Sequence, residues 1–510
     1  MVQSIAGTNL AANWAASTQT LSIAVACQWD GTNWVDETAY VSSLRTRLGI
    51  STSGVNGLPM LGGGAPSWGS VTFINTTGRF SQRNTAGALY AYIRYGFMLI
   101  PMRVSAGYVD ATAGAERITI FTGYMLAAQE SESAPGQNVV SVELRGADLL
   151  TAQYKQSTAL LAGYRIDQTI AAILTAAGVS LQSLNRGLVP VPYAWLDDEN
   201  TWEQCVQLAQ SEAAMFWFNE LGYAYLRRMS ALVEQAASIS SQLTLNRGSA
   251  WWLNIQQPAM SAYTKTVVEV TPRTPGPVEV VYSCSEDVEV PAGGSKVVTA
   301  QFRSAVSAIV TPVENTDYYA VSAGAQDMAS SVSLSCSLSC QRGEFTFSNS
   351  HASQPAFIYG FQVRGFPLVG EEDQTAEAEA DATTLTNYWR GLGADTKTLR
   401  LTGNPYIQTL TQGQFLADIA ANWMKIPRTL VAWKGPGAPW LQILDRVHIE
   451  SAGSGIDEDC WIIDKQEELG VGKYTQTLLC LPCASLFPNA TYFIIGTSTY
   501  KDSASDKVFF

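Results

Sequence analysis

The feature that most constrains the fold of this chain is a recurring pattern of short segments in which apolar and polar residues alternate. A period of two places successive side chains on opposite faces, which is the signature of a half-buried β-strand. Gly, Asn and Pro separate the segments, as expected for turns between strands. The clearest N-terminal examples are LSIAVACQW at 21–29, VTFIN at 71–75, ITIFTGYM at 118–125 and VVSVELRG at 139–146. The pattern predicts a mainly β chain.

Changes in this pattern divide the chain into four segments. The 510 residues suggest three or four domains, because a domain usually holds roughly 100 to 200 residues. Residues 1–155 are strand-rich, and residues 156–235 change to a helical period. Residues 236–395 return to short strands at the spacing of a sandwich or barrel. Residues 396–510 mix strands with one helix and end in a tail from about 484, and the similar texture of the two ends could mean two related halves.

The segment 156–235 is predicted to be an α+β module of two helices and a hairpin. One helical face carries Ile166, Ile170, Ile173 and Leu174, and Gly178 lies just past its end, as helix termination favours. The spacing of Thr201 and Gln204 predicts a capping box at the start of the second helix. The turn Asn219-Glu220-Leu221-Gly222 then predicts a hairpin between MFWF and YAYLRR.

Two further helices are predicted nearer the C-terminus. The acidic, Ala-rich stretch 371–381 is interpreted as the first half of a helix that runs to Arg390 and ends at Gly391. Acidic side chains favour a helix N-terminus, because they complement the helix dipole. A second helix is predicted over 414–425 and is stopped by Pro427.

Charge and composition exclude several classes of function. The formal charge is −13 and charged residues make up 15%, against roughly 25% in an average soluble protein. A surface that binds phosphates needs clustered Lys and Arg, so the net negative charge argues against nucleic-acid binding. Two histidines leave little room for a His-rich metal site. The 14 tryptophans in a chain so poor in charge predict an exterior that is largely buried against partners.

No targeting segment is predicted. The N-terminus MVQSIAGTNLAANWAAS has neither a basic region nor an apolar core, so a signal peptide is not expected. The longest apolar stretch, ALYAYIRYGFMLIPM at 88–102, is interrupted by Arg94 and Pro101 and is too short to span a bilayer. The chain is therefore expected to be made in a cytosol, without stable membrane insertion.

The eight cysteines are spread too thinly for a disulfide scaffold. Cys480 and Cys483 could join Cys336 and Cys340 as four zinc thiolates, but the spacing does not match a zinc knuckle. The favoured interpretation places Cys480 at the end of a strand, and Cys336 and Cys340 on one face of a Ser-rich strand.

The sequence gives little support for a hydrolase. A Ser-His-Asp triad could use only His351 or His448, and no G-x-S-x-G motif occurs. A glycosidase needs only paired carboxylates, and acidic clusters occur at Asp197-Asp198-Glu199, Glu371-Glu372-Asp373 and Asp457-Glu458-Asp459. The first two are interpreted as acidic helix N-termini. The third is interpreted as a solvated hairpin loop, with a calcium-binding loop as the alternative.

Nucleotide binding is not supported either. Gly391-Leu392-Gly393 lacks the third glycine of a dinucleotide motif, and Lys397 is not in a P-loop context. The aromatic run 215–218 and the pair Trp251-Trp252 are interpreted as core or interface residues. No catalytic, cofactor-binding or metal residue is assigned, and no enzymatic activity is predicted.

Several segments together resemble the tail-tip and baseplate hub proteins of bacteriophages. In the helix-hairpin module these are AAILTAAGVS, TWEQCVQLAQSEAA and MFWFNELGYAYLRR. Near the C-terminus they are FLADIAANWM, TLVAWKG, PWLQILDRVHIES and CWIIDKQEELGVGKYTQTLLCLP. FINTTGRFSQRN and ITIFTGYM are similar to the N-terminal tube-domain strands of such proteins, and FQVRGFPL and NPYIQT fit their middle.

The resemblance implies a structural virion protein of the tail tip, assembled in the host cytoplasm. Residues 1–155 and 396–510 would be two β-barrel-like tube domains, 156–235 a small helix-helix-hairpin module, and 236–395 a β-sandwich-like middle ending in a helix. Such a hub forms a ring, with a homotrimer favoured. Its partners would be the tail tube or distal tail protein, the tape-measure protein, and a distal fibre or spike.

A hub also lets the genome pass during ejection, so DNA would cross it transiently without specific binding. The surplus of Asp and Glu suits such a passage, because carboxylates repel phosphates. Two alternatives stay open. The chain could be a tail adhesin that binds sugar or the host surface through exposed Trp, or, with less support, a cell-wall hydrolase with paired acids.

Overall fold

A computed structural model describes residues 7–16, 18–50, 61–132, 138–228, 232, 240–246, 249–256, 261–470 and 472–483. The predicted tail from about 484 lies outside these residues. Strands account for 48% and helices for 15%, so the prediction of a mainly β chain with α insertions is confirmed. No helix in the described ranges is long and apolar enough to cross a membrane.

The N-terminal part consists of seven strands and two short helices. The alternating segments seen in the sequence form strands, and the stretch at 88–102 breaks into a helical turn and the start of a strand. The elements are α1 (Leu10–Ala15), β1 (Leu21–Cys27), β2 (Val35–Asp36), β3 (Val41–Gly49), β4 (Trp68–Ile74), α2 (Tyr90–Ile93), β5 (Ile100–Asp110), β6 (Gly114–Glu132) and β7 (Asn138–Gly146).

The next part contains the predicted helices and hairpin. Its elements are α3 (Asp148–Gln153), β8 (Lys155–Gln156), β9 (Leu161–Arg165), α4 (Ile166–Ala176), β10 (Gln182–Leu184), β11 (Pro190–Ala194), β12 (Glu199–Asn200), α5 (Thr201–Gln210), β13 (Ala214–Phe218) and β14 (Ala224–Arg228). Trp202 of α5 packs on Phe216 and Phe218 of β13, with ring centroids 5.4 and 6.2 Å apart.

The middle of the chain is made of short strands. They are β15 (Ser241–Asn246), β16 (Trp252–Gln256), β17 (Lys265–Val270), β18 (Arg273–Pro275), β19 (Glu279–Ser283), β20 (Val288–Val290), β21 (Ser295–Gln301), β22 (Val306–Val310), β23 (Tyr319–Val321), β24 (Val332–Leu338), β25 (Arg342–Asn349), β26 (Ala356–Tyr359), β27 (Gln362–Gly370) and β28 (Gln374–Glu379). Strands β18 to β27 enclose an aromatic core in which Phe361 contacts the rings of Phe345 and Phe347, each at 5.2 Å.

The C-terminal part holds the remaining elements. They are α6 (Ala382–Asn387), β29 (Thr398–Leu401), α7 (Leu410–Met424), β30 (Leu430–Pro436), β31 (Arg446–Ser451), β32 (Ile456–Gly470) and β33 (Lys473–Pro482). Helix α7 packs on β17 and β28. A Cβ at Gly413 would lie 2.4 Å from Val270 Cγ2, so this close approach requires glycine.

Strands from both ends of the chain form one large sheet. Its hydrogen-bonded order is β16-β30-β33-β32-β3-β4-β7-β6-β5-β1-β2, and β31 and β15 extend it from β32. Strands β15 and β16 thus pair with C-terminal strands. The N-terminal and C-terminal groups of strands are joined by the antiparallel pair β3–β32.

The N-terminal group of strands is curled. Seven strands from β3 to β2 would be about 29 Å wide in a flat sheet. However, β2 and β3 are neighbours in sequence, and the five residue steps from Asp36 to Val41 reach at most about 18 Å. The sheet must bend to bring its edges together, as the barrel-like prediction requires. Within the described residues no hydrogen-bonded barrel closes.

Three local predictions were wrong. Residues 374–379 form strand β28 paired with β17, so the predicted helix over 371–390 reduces to α6. The side chain that caps α5 belongs to Asn200, which accepts the Glu203 N–H at 3.1 Å, and Thr201 is buried behind it. Cys340 lies past the end of β24 and is buried, whereas Cys336 is exposed, so the two do not share a strand face.

The predicted hairpin at 219–222 is confirmed. Strands β13 and β14 pair antiparallel. Gly222 adopts a positive φ of 79°, and the Asn219 side chain accepts the Leu221 and Tyr223 N–H groups at 3.1 and 2.9 Å. The hairpin tip therefore holds Glu220 in a fixed direction.

Candidate functional site

The two histidines considered for a triad lie in different parts of the fold. His351 follows β25, and its Nδ1 accepts the Gln354 N–H at 3.1 Å, which stabilises a local turn. His448 lies on β31 in the large sheet. The structure does not bring them together.

The acidic clusters are likewise separate. Asp197 accepts the Gln301 amide at 3.2 Å, and Asp198 lies 3.4 Å from Lys155 Nζ, just ahead of α5 as predicted. Residues 371–373 connect β27 to β28 and do not start a helix. Residues 457–459 belong to β32, so the prediction of a loop at this position, with or without calcium, was wrong.

Placing residues 457–459 in a strand creates a face that the sequence did not reveal. The register pairs His448 with Asp459 and Glu450 with Asp457, so these four side chains share one face, which we call the His448 ladder. His448 Nδ1 lies 2.9 Å from Asp459 Oδ1. Its Nε2 lies 3.4 Å from Glu450 Oε1 and 3.1 Å from Asp457 Oδ1.

The charged side chains of the His448 ladder shift the pKa of the His448 imidazole. The hydrogen bond to Asp459 raises the pKa of His448 above its ordinary value, although partial burial opposes this. Asp459 also pairs with Arg446, and the Asp459 pKa is lowered by these two partners against the effect of its burial.

The cysteines form no disulfide among the described residues. Burial raises the pKa of Cys480 well above its ordinary value, and it raises that of Cys340 to about 12. Metal binding by cysteine requires the thiolate, so the environment of these two residues disfavours it.

A buried charge cluster connects the helix-hairpin module to the large sheet. Lys465 of β32 is completely buried. Its Nζ lies 2.7 Å from Glu220 Oε1 and 3.2 Å from Glu467 Oε1, and it donates to the Leu441 carbonyl at 2.9 Å. Because Glu220 sits at the hairpin tip, this ion pair fixes the module against the sheet.

Neighbouring polar groups satisfy the rest of the buried charge cluster. Glu467 accepts from Gln476 Nε2 at 3.1 Å and from the Tyr474 hydroxyl at 3.3 Å, and Gln442 donates to Glu220 at 3.3 Å. Burial raises the pKa of Glu467, and Lys465 only partly offsets this. For Lys465 burial acts to lower the pKa, but the two carboxylates outweigh it and raise the pKa.

The sequence of β32 contains a pattern that indicates the buried charge cluster. Ile463, Lys465, Glu467 and Leu469 alternate along β32, and all four are buried. Two charged residues in phase with apolar neighbours indicate a buried ion pair. Their partner Glu220 lies about 245 positions earlier, and sequence spacing alone could not identify it.

Two ion pairs reinforce the junction between the two halves of the large sheet. Arg47 of β3 binds Asp464 of β32 through two nitrogens, with Nη2 2.7 Å from Oδ2. Arg45 pairs with Glu468 directly across the ladder. Bidentate Arg–carboxylate pairs are geometrically specific, so they fix the register of β3 on β32.

One exposed apolar surface lies along an edge strand, and we call it the aromatic edge. Strand β16 pairs on one side with β30 and has no partner on its other side among the described strands. Trp251, Trp252 and Ile255 are exposed there, with Trp251 59% exposed. An edge strand with exposed apolar side chains offers both backbone and side-chain contacts to another chain.

A second exposed surface, the aromatic loop, covers residues 92–99. Ile93 and Phe97 are buried and anchor it, and Phe97 packs edge-on against Trp29 at 6.0 Å. Tyr95, between these anchors, is 88% exposed, and Met98, just after Phe97, is 73% exposed. Exposed apolar side chains on an anchored loop are typical of a contact surface.

The chain has the fold of phage tail proteins. No protein-family model matches the sequence, and no curated protein matches it. The structure is similar to the 43 kDa tail protein of prophage MuSo2 from Shewanella oneidensis, with a TM-score of 0.50 and 9% identity over 91% of this chain and 99% of that one. It is also similar to a tail protein from Neisseria meningitidis, with a TM-score of 0.50 and 8% identity over 92% and 98%. The resemblance to the tail-hub family is thus confirmed at the level of the fold.

Proposed function

We propose that this chain is a structural hub subunit of a phage tail tip or baseplate. The observation that carries the proposal is the fold similarity to a prophage tail protein, which covers 91% of this chain and 99% of that one. The hub forms a ring, with a homotrimer favoured, and joins the tail tube to distal host-attachment parts. Its location is the virion, after assembly in the host cytoplasm.

The two exposed apolar surfaces support an assembly role. The aromatic edge provides an open strand, and the aromatic loop provides anchored aromatic side chains. Aromatic residues and Met are enriched in the buried centre of protein interfaces. We assign these surfaces to contacts with neighbouring copies, with the tail tube or distal tail protein, with the tape-measure protein, or with a distal fibre or spike.

The negative charge supports transient passage of DNA. At a formal charge of −13, three copies present a strongly acidic assembly that does not retain phosphates. A gel-shift assay with duplex DNA at physiological salt is expected to show no retained complex. A stable complex, or a basic ring lumen in an assembled particle, would contradict this part of the proposal.

The assembly is tested by measuring the mass of the purified chain alone and with the tail tube protein of the same phage. The expected species has about three times the 55.0 kDa chain mass. Electron microscopy of tails labelled at the C-terminus of this chain is expected to place the label at the tail tip. A monomer in both samples together with unlabelled tails would refute the hub.

A tail adhesin is the second candidate function. Trp34, Trp251 and Trp252 are exposed, and exposed aromatic rings can bind the apolar faces of sugars. A glycan array separates the two functions, because an adhesin binds one sugar class and loses it when Trp251 and Trp252 are replaced by Ala. A hub gives no specific signal.

We propose that the chain has no enzymatic activity of its own. Asp457 of the third acidic cluster and the neighbouring Glu450 both face His448, and their side chains are 82% and 50% exposed rather than enclosed. Release of peptidoglycan fragments by the purified chain, abolished in Glu450→Ala or Asp457→Ala, would show that a hydrolase is present.

A further inference from the structure

We propose that the His448 ladder binds one divalent transition-metal ion of the Zn²⁺ class through His448, Glu450 and Asp457. The proposal does not depend on the tail function, and it rests on side chains that the assembly role does not use.

The donor set fits a transition metal better than calcium. One imidazole nitrogen and two carboxylate oxygens are ligands that Zn²⁺ accepts, whereas Ca²⁺ and Mg²⁺ prefer oxygen alone. The three donor atoms lie within 4.8 Å of one another. Three protein ligands leave a fourth tetrahedral position, which water fills in the isolated chain because the Asp457 side chain is 82% exposed.

Two of the three donor separations match tetrahedral coordination. Ligand atoms about 2.0–2.1 Å from a tetrahedral ion are about 3.4 Å apart. His448 Nε2 lies 3.4 Å from Glu450 Oε1 and 3.1 Å from Asp457 Oδ1. The Glu450 and Asp457 oxygens lie within 4.8 Å of each other, so rotation of these two exposed side chains can bring all three donors to one ion.

Asp459 orients the imidazole for this role. Metal-binding histidines usually donate their second N–H to a carboxylate, which fixes the tautomer and directs the other nitrogen at the ion. Asp459 Oδ1 lies 2.9 Å from His448 Nδ1, so it can accept the hydrogen of Nδ1 and leave Nε2 as the donor to an ion held with Glu450 and Asp457. Arg446 holds the other oxygen of Asp459, and Asp459 is thus a positioning residue.

The ion would connect two strands at the end of a hairpin. His448 and Glu450 belong to β31, Asp457 belongs to β32, and the connection between them spans only residues 452–455. The bound metal would therefore stabilise the hairpin in the large sheet and raise the melting temperature of the whole chain.

The test is a calorimetric titration of the chelator-treated, full-length chain with Zn²⁺, with Ca²⁺ as the competing probe. We expect one Zn²⁺ per chain and no competition by Ca²⁺. Co²⁺ should give the intense visible absorption of a four-coordinate site, without the near-ultraviolet band of thiolate ligation. Thiolate absorption would assign the metal to the cysteines and overturn the proposal.

Variants locate the site. Asp457→Asn should weaken Zn²⁺ binding at least tenfold and abolish the Zn²⁺-dependent rise in melting temperature. Glu458→Gln is the matched control, because it removes the same charge one residue away on the opposite face of β32, and its affinity should stay within twofold. Asp459→Asn should weaken binding roughly 10- to 100-fold.

Three results would overturn the proposal. The wild-type chain could fail to bind Zn²⁺ at millimolar concentration, in which case the ladder is only a protonated histidine among carboxylates. Asp457→Asn could bind as tightly as the wild type. Glu458→Gln could lose as much affinity as Asp457→Asn, which would indicate general charge attraction.

Discussion

At the scale of single residues, Lys465 is a position where a substitution is expected to be costly. Its ammonium group is completely buried between two carboxylates. Removing one partner of a buried ion pair leaves uncompensated charge, and this typically costs about 3–5 kcal/mol. Replacing the entire set by neutral groups costs much less. The free energy of unfolding therefore depends on which charges of the cluster remain after a substitution.

The first prediction concerns Lys465→Met. We expect the free energy of unfolding at pH 7 to fall by about 3–5 kcal/mol, as measured by chemical denaturation. Lys473→Met, an exposed lysine of the same sheet, should change it by less than about 0.5 kcal/mol. Adding Glu220→Gln and Glu467→Gln to Lys465→Met should recover part of the loss. A triple variant less stable than Lys465→Met would contradict the role of unpaired charge.

The second prediction concerns Asp148 and pH. Burial raises the pKa of Asp148 from 3.8 to about 7, although the Ser67 N–H opposes this. The folded state then binds a proton that the unfolded state has released, so stability decreases as pH rises from about 4 to about 7 and is constant above that. At 1.36 kcal/mol per unit, the loss is on the order of 4 kcal/mol at most.

Asp148→Asn tests this, because an amide cannot ionise and its oxygen can still accept the Ser67 N–H. The variant and the wild type should have equal unfolding free energies near pH 4, and the variant should be the more stable above pH 7. Parallel curves over this range would show that Asp148 does not titrate as described. Exposed Glu143→Gln is the control and should leave the pH profile unchanged.

Sequence reasoning at this scale identified residue types but not their partners. Asp457 and Asp459, which lie beside His448, are predicted in a loop but belong to β32. The error arose because SAGSG and IDEDC lie side by side, and small and acidic residues together resemble a turn. The antiparallel pairing of β31 with β32 extends to Ser451 and Ile456, and it places the acidic residues in the strand rather than in the turn.

At the scale of elements, the strand β28 shows how pairing overrides propensity. Ala and Glu are good helix formers, and they predicted a helix over 371–390. However, Ala376 and Ala380 are buried while Glu377 and Glu379 are exposed, which is a period of two. The neighbouring strand β17 pairs with this segment along its whole length, and the hydrogen bonds of that ladder determine the structure.

The third prediction concerns the aromatic edge. Ile255→Lys places a charge on β16, and a charged side chain on an edge strand prevents pairing with another chain. We expect the ring to dissociate. The free energy of unfolding of the monomer should stay within about 0.5 kcal/mol of the wild-type value. Ser333→Lys, on the edge strand β24, is the control and should leave the ring intact. A ring that survives Ile255→Lys would exclude β16 from the interface.

At the scale of the whole molecule, the β3–β32 junction predicts cooperative unfolding. The N-terminal and C-terminal groups of strands share one continuous sheet and one hydrophobic core, so we expect them to unfold together. Hydrogen exchange of β5 and β33 peptides in rising denaturant should give one common midpoint. Two separate midpoints would show that the halves are independent domains.

The fourth prediction uses the same readout on the junction itself. Arg47→Gln removes a bidentate ion pair from Asp464, whose side chain is 9% exposed. The expected loss is about 1–3 kcal/mol, and it should lower the midpoints of β5 and β33 equally. Arg145→Gln, whose partner Glu143 is half exposed, should have little effect on either. A shift confined to β5 would contradict coupling through the junction.

The general architecture could be predicted from the sequence, but the pairing of β3 with β32 could not. Alternation predicted most strands, and motif resemblance predicted the class of fold. The pairing of β3 with β32 joins residues more than 400 positions apart, and no local pattern encodes such a contact. Local patterns therefore predict the strands at both ends of the chain, but not that these strands pair in one continuous sheet.

This pairing has a consequence for synthesis on the ribosome. Strand β3 leaves the exit tunnel early, but its partner β32 is made more than 400 residues later, which at about 5–20 residues per second is roughly 20–80 s. During that time β3 presents an unpaired edge beside several copies translated from the same message. The protein is thus most exposed to misassembly while only its N-terminal half has been synthesised. Chaperone binding to the nascent chain should be strongest before residue 456 emerges.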